Sequence, residues 1–186
     1  MPPSILLQQR QQLDLNDCID AAVFTCLTTA FYASAQLEEF TVCRLEGFDP
    51  EKSITQNHLT YGEDHNRLKV TTLCLPETKT SNTGEDVFWA TQTGLTNPEA
   101  VLQHHLGVND PPDNQHLFAY HYKTGHRPLT KTKFIEWLAK ASRNAGVEML
   151  GYVICHLSVL VTDVGLLSHH GLTLGGLTLG IRMILR

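Results

Sequence analysis

The sequence is short of basic charge. Only 14 of its 186 residues are Lys or Arg, against 19 Asp or Glu, so its formal net charge at pH 7 is −5. Proteins that bind nucleic acid indiscriminately do so through an overall positive charge, and these totals argue against that class. They leave room for a local basic face. Hydrophobic residues make up 42% and charged residues 18% of the chain, which indicates a globular core and not a disordered polymer.

Cysteines are few and their spacing forms no C-x-x-C pair. Residues 1–12 also lack the basic start and apolar centre of a signal peptide. An odd number of unpaired thiols without a secretory signal predicts reduced cysteines in an intracellular compartment. The five cysteines are Cys18, Cys26, Cys43, Cys74 and Cys155.

Heptads, internal repeats and long apolar runs are missing too, which excludes a coiled coil and a solenoid. The uncharged stretch 149–162 is shorter than the roughly 20 residues that a membrane-spanning helix needs. We therefore predict no membrane segment. The length suits one domain, or one domain with a short appendage.

The first predicted helix begins at a cap, Asp14 or Asn16, and continues to about Leu37. Apolar residues recur within it at intervals of three and four, which predicts one apolar stripe facing the core. These residues are Ile19, Ala22, Val23, Cys26, Leu27, Ala30 and Phe31.

Two later helices have clear start signals. Asn97 precedes Pro98, the favoured order of cap and first helical residue. Thr130 is the cap of a third helix, which Gly146 ends.

The segment 67–92 predicts a β-hairpin. Residues 68–74 alternate in polarity, Pro76 stops the first strand, and β-prone residues resume at Val87. Gly84 in the polar turn can take a positive φ. Lys79 would then lie at the exposed tip, where a lysine is usually only a solvated charge. With a second short strand at 117–120, the prediction is a mainly helical α+β fold with a small antiparallel sheet.

The most basic window is HYKTGHRPLTKTK, which contains His126 and four cations. Lysine and arginine near a helix start can hold phosphates, so the window is a candidate DNA-binding site. A solvated loop and helix face explains the same pattern. The four cations are Lys123, Arg127, Lys131 and Lys133.

The histidines are spaced too widely for a typical zinc site, which pairs histidines three to five residues apart beside a cysteine pair. His104 adjoins His105, and His116, His121 and His126 follow at intervals of five. We predict no metal site and no cofactor.

Taken in order, several short sequence motifs, here called words, resemble the catalytic domain of tyrosine recombinases. These are the phage-integrase-like enzymes that break and rejoin DNA. The closer likeness is to the divergent versions of mushroom-forming fungi, and it covers roughly Asp17 to Leu150. The words are DAAVFTCLTTAFYASAQLEEFTV, GFDPEKS, LPETKTSNTGEDVFWATQTGLTNPEA, HHLGVNDPP, HLFAYHYKTGHRPLTKTKF and NAGVEML.

The resemblance implies a partial integrase-like catalytic domain at 14–150, after a disordered lead-in at 1–13. Its family role is DNA recombination and integration, typically of a mobile element, which implies a duplex DNA partner and a nuclear location. In that family a tyrosine attacks a DNA phosphate without a metal, while two arginines and a histidine stabilise the developing charge. A hairpin-tip lysine protonates the leaving oxygen. By resemblance Lys79 is that lysine, and His170 is the histidine of an H-G-x-R-x-G-G word.

The chain departs from this pattern at both arginines. Gln36 stands in the place of the first and Thr173 in the place of the second. No tyrosine follows His170, since Tyr152 is the last in the sequence. The resemblance therefore implies a chain that neither cleaves nor joins DNA, and it leaves open a non-catalytic DNA-binding remnant or a translated fragment without function.

The tail 151–186 has an apolar part, 151–168, that is foreign to the family. Its position between two family words suggests a translated intron or another gene-model error. A buried strand or an apolar, aggregation-prone tail is the competing interpretation.

Overall fold

A computed structural model of the chain describes residues 3–78, 81 and 84–146. Within these residues lie four α-helices and five β-strands. The helices are α1 (Pro3–Arg10), α2 (Cys18–Tyr32), α3 (Pro98–Asn109) and α4 (Lys131–Ala145). The strands are β1 (Leu59–Glu63), β2 (Lys69–Leu75), β3 (Glu85–Ala90), β4 (Tyr120–Tyr122) and β5 (Gly125–Arg127). The predicted α+β class is confirmed.

Helix α2 is capped at Asp17, one residue after Asn16 and three after Asp14, the two predicted positions. The Asp17 carboxylate accepts hydrogen bonds from the amides of Ile19 (3.0 Å) and Asp20 (3.1 Å). Asp14 instead accepts from the amide of Asn16 in the preceding turn, 3.0 Å away. The helix also ends before Leu37, because Ser34 adopts a positive φ of 52°.

Helix α2 is buried on all sides and not along one stripe. Every residue from Ala21 to Ala30 is buried. The threonines inside this stretch remain compatible with burial because Thr25 and Thr28 donate to carbonyls one turn back, at 2.7 and 3.0 Å. The other three helices and β4 pack around α2, which makes it the centre of the core.

Residues 3–10, expected to be part of a disordered lead-in, form α1. Leu6 is completely buried, and Gln9 Nε2 donates to Ser142 Oγ on α4, 3.0 Å away. A helix of eight residues has little stability of its own. Packing against the core therefore orders this segment, and local propensity could not reveal it.

The predicted hairpin is β2 paired antiparallel with β3, and β1 adds a third strand on the other side of β2. Strand β2 ends at Leu75, directly before Pro76. Strand β1 escaped prediction because four of its five residues are exposed, so it has no apolar alternation. The sheet buries Thr71, Leu73, Leu75, Val87 and Trp89.

Gly84 should be intolerant of any side chain. Its φ is +82°, and an added Cβ would lie 2.5 Å from the carbonyl oxygen of Leu75. We expect Gly84→Ala to lower the free energy of unfolding by roughly 1–3 kcal/mol, measured by urea denaturation. Gly62→Ala is the matched control, since an added Cβ there meets nothing within 4 Å. Equal stability of the two variants would contradict the expectation.

The starts of α3 and α4 agree with prediction. Asn97 accepts from the amide of Glu99 and Thr130 from that of Lys133, while Gly146 ends α4 with a φ of 67°. The strand predicted at 117–120 lies further along, because pairing begins at Tyr120. In the part of the chain that the structure describes, every helix is too short or too polar to cross a bilayer.

Candidate nucleic-acid interface

The predicted catalytic positions divide into those that the structure describes and those that it does not. Lys79, His170 and Thr173 lie outside the described residues, as does the tail 151–186. Gln36 and the four cations of the basic window lie within them.

Gln36 precedes a short 3₁₀ turn, Leu37–Glu39, and is half-buried. Its backbone amide donates to Glu39 Oε2 at 2.9 Å. Glu38, two residues after Gln36, forms an ion pair with Lys131 at the start of α4. A neutral amide placed among carboxylates is a poor site for an anion, because it cannot supply the charged bidentate clamp of an arginine.

The backbone explains why Glu38 lies beside the start of α4. The amide of Val42 donates to the carbonyl of Leu129 (3.1 Å), and the amide of Lys131 donates to the carbonyl of Val42 (3.0 Å). This parallel bridge fixes the loop after α2 against the start of α4.

The basic window separates into two kinds of cation. Lys131 pairs with Glu38, and Lys133 Nζ lies 2.8 Å from Glu136 Oε2. Both pairs are partly exposed, so each contributes only about 0.2–1 kcal/mol to stability. Their carboxylates nevertheless cancel much of the positive charge that these two lysines would offer to a phosphate.

Lys123 and Arg127 lie instead against an aromatic ring. Arg127 Cζ is 3.6 Å and Lys123 Nζ 5.5 Å from the centre of the Tyr122 ring. The hairpin of β4 and β5 holds all three side chains, and its turn is exposed. Among the described residues no carboxylate lies within ion-pair distance of either cation.

A second aromatic ring with two cations lies on α4. Lys133 Nζ and Lys140 Nζ are 4.9 and 5.3 Å from the centre of the Trp137 ring. The indole Nε1–H donates to Asp20 Oδ1 on α2, 2.6 Å away, which fixes the ring. Residues 133, 137 and 140 share one helix face, so their spacing could have revealed this group from the sequence.

A groove of about 330 Å³ joins the two aromatic groups. It runs between the start of α2, the β4–β5 hairpin and α4. Its lining residues are Asp17, Cys18, Ile19, Tyr120, His121, Tyr122, Arg127, Lys133 and Trp137. We call the two rings and the four cations against them the basic–aromatic surface: Tyr122, Lys123, Arg127, Lys133, Trp137 and Lys140.

The buried side chain of Asn109, at the end of α3, connects the elements that carry this surface by hydrogen bonds. Its Nδ2 donates to the carbonyl of Cys18 (2.9 Å) and to Nδ1 of His105 (3.0 Å). Its Oδ1 accepts from the amide of His121 at 3.0 Å, and its backbone carbonyl accepts from His126 Nε2 at 2.6 Å. Asn109 thus joins α2, α3 and the hairpin that carries Tyr122.

His105 belongs to the hydrogen-bond network of Asn109, and His116 is buried in the core. Because Asn109 donates to its Nδ1, His105 must carry its proton on Nε2, which donates to the carbonyl of Leu117 at 3.0 Å. Burial lowers the pKa of His105 to about 4 and that of His116 to about 3, so both rings are neutral. In the described ranges no group of three or more His, Cys, Asp or Glu side chains could hold a metal ion.

Comparison with known proteins yields a similarity of fold. Neither a protein-family model nor a curated protein matches the sequence. Among solved structures, the chain is similar to a chain of the FLP recombinase–Holliday junction complex, with a TM-score of 0.53 and 12% identity. The similarity covers 87% of this chain and 39% of that chain. At this identity it shows that the two chains share a fold.

Proposed function

We propose that this chain is a tyrosine-recombinase-like catalytic domain that binds duplex DNA and does not cut it. The observation that carries the proposal is the group of cations on the basic–aromatic surface, which lies on a fold shared with a recombinase in complex with a DNA junction. The sequence words that resemble the recombinase family are independent support, because they occur in the family's order. The family role would be recombination and integration of a mobile element, in the nucleus.

The proposed loss of cleavage rests on the two missing arginines. Gln36 and Thr173 cannot supply the paired charged hydrogen bonds with which arginines stabilise a phosphate in the transition state. By analogy with lost oxyanion donors, each replacement costs about 2.7–4 kcal/mol, or a factor of 10²–10³ in rate. Lys79 and His170 would be the residues that keep the family's catalytic types.

Cleavage is tested with an end-labelled suicide DNA substrate, which traps a covalent phosphotyrosyl intermediate. We expect no labelled protein after denaturing electrophoresis, with the wild-type chain or with Gln36→Arg, since restoring one arginine leaves Thr173 in place. A labelled covalent complex of the wild-type chain would refute the proposed inactivity.

Duplex binding should depend steeply on salt, and its cations should contribute unequally. Each phosphate contact adds about 0.9 to the slope of log affinity against log salt concentration. We expect Arg127→Gln to reduce that slope by about 1, because no carboxylate in the described part of the chain pairs with this side chain. Lys131→Gln, the matched control, should change it much less because Lys131 pairs with Glu38. The measurement is fluorescence anisotropy of a labelled duplex at several salt concentrations.

Equal effects of the two substitutions would show that the window acts only through its total charge. Salt-independent or undetectable binding would refute the DNA-binding function and leave a fragment without one.

A further inference from the structure

The aromatic half of the basic–aromatic surface has no use in holding a duplex by its phosphates. In a duplex the base faces are stacked inside, so cations alone supply the sequence-independent contacts. Aromatic rings alternating with cations are typical of proteins that bind single strands, where unstacked bases lie against the rings. The two rings here therefore suit a ligand with unstacked bases, whereas the cations alone suit phosphates.

The rings are accessible and held in place. Tyr122 is 41% exposed, and the Arg127 guanidinium, 3.6 Å from the ring centre, keeps it from turning freely. Trp137 is half-buried, and its hydrogen bond to Asp20 sets the plane of the indole. Rings fixed before binding lose little entropy when a base stacks on them.

The groove between the rings has the right size and the right charge. Its volume of about 330 Å³ lies within the range of ligand-binding clefts, roughly 300–1,000 Å³. Arg127 and Lys133 both line it, and a phosphate beside a stacked base would meet chiefly Arg127, because Glu136 neutralises much of the charge of Lys133. A planar guanidinium also stacks on a base as well as on tyrosine.

Three carboxylates lie near the groove, and each has a partner within the protein: Glu136 pairs with Lys133, and Asp17 and Asp20 accept hydrogen bonds. Asp17 accepts from two amides at the start of α2. Asp20 accepts from Trp137 Nε1 and from the amide of Asp14, at 2.6 and 2.9 Å. Each carboxylate keeps its negative charge, which the positive end of the α2 dipole offsets in part at Asp17 and the Lys133 ammonium offsets at Glu136.

We infer that the basic–aromatic surface binds unpaired nucleotides of single-stranded DNA. Bases stack on Tyr122 and Trp137, and a phosphate between them contacts Arg127. The inference rests on the proposed DNA-binding function and goes beyond it, because it assigns the surface to the bases as well as to the backbone.

The test compares three fluorescein-labelled DNAs of equal length, about 15 nucleotides, which suits the span of one single-strand site. The first is a thymidine strand, the second a strand of abasic sites with the same charge, and the third a duplex. We expect the thymidine strand to bind at least about fivefold more tightly than the abasic strand, the gain that stacking of one base gives. Tyr122→Leu should weaken binding of the thymidine strand more than binding of the abasic strand, and so remove most of this difference.

Three controls separate stacking from loss of structure. Tyr122→Phe keeps the ring and should keep the preference for bases. Tyr61→Leu removes a tyrosine that is 58% exposed on β1, outside the surface, and should leave all three affinities unchanged. Urea denaturation of Tyr122→Leu should give the wild-type midpoint.

A second measurement uses the intrinsic fluorescence of tryptophan. Trp89 is 1% exposed and cannot stack on DNA, so quenching by the thymidine strand reports on Trp137. Equal affinity for the thymidine and abasic strands, without quenching, would overturn this inference and leave duplex binding intact. Failure to bind any of the three DNAs would overturn the proposed function as well.

Discussion

Asn109→Ala should lower the free energy of unfolding by about 3 kcal/mol, because one buried and two partly buried hydrogen bonds are lost and an unsatisfied buried group costs roughly 1–3 kcal/mol. The groups that lose a partner are the carbonyl of Cys18, Nδ1 of His105 and the amide of His121. An alanine side chain supplies neither a donor nor an acceptor. The measurement is urea denaturation followed by circular dichroism.

The substitution Asn109→Ala should also affect the candidate interface. The amide of His121 lies in β4, next to Tyr122, so an unsupported hairpin should present its ring and cations less rigidly. Asn114→Ala is the matched control, since Asn114 is exposed in the loop after α3 and should change stability by no more than about 0.5 kcal/mol. If both variants unfold at the same urea concentration, Asn109 is not the centre of a stabilising network.

Mild acid should destabilise the protein through its two fully buried histidines. His105 and His116 have pKa values of about 4 and about 3 in the folded state, against an ordinary value of 6.5. Below pH 6.5 the unfolded chain binds protons that the folded protein cannot, so the free energy of unfolding falls as the pH falls. Each histidine removes up to about 1.4 kcal/mol per pH unit, or roughly 3 kcal/mol for the pair between pH 6.5 and 5.

Urea denaturation at intervals between pH 7.5 and 5 measures this loss, before most carboxylates titrate. His116→Gln should remove about half of the pH dependence, whatever its effect on stability at pH 7.5. His65→Gln, at an exposed position, should leave the pH dependence as it is. A wild-type stability that stays constant down to pH 5 would mean that the buried rings accept protons when folded.

The parts of the fold that the sequence predicted correctly have local causes. Asn97, Thr130 and Gly146 act on amides or backbone angles within a few residues, so spacing alone identifies them. Helix α1 and the all-round burial of α2 depend on packing between distant segments, which no local pattern contains. Strand β1 is exposed and pairs by its backbone, so its side chains carry little signal.

The candidate site likewise has features that local sequence predicted and features that depend on contacts between distant segments. The sequence identified the basic window but could not show that Lys131 pairs with Glu38, which lies 93 residues away. Nor could it place Tyr122 and Trp137 on one groove, since they belong to different elements. The i, i+4 spacing of Lys133 and Trp137 was readable, although such a pair on a helix more often has no role in binding.

The contact between α1 and α4 has a consequence for how the protein is made. Gln9 and Ser142 are 133 residues apart, and at typical rates of synthesis, about 5–20 residues per second, roughly 7–27 s separate them on the ribosome. An isolated helix of eight residues has little stability in water, so α1 needs contacts with other elements to form. The contact between α1 and α4 can therefore form only after residue 142 has been translated, and until then α2 is the neighbouring helix against which α1 can pack.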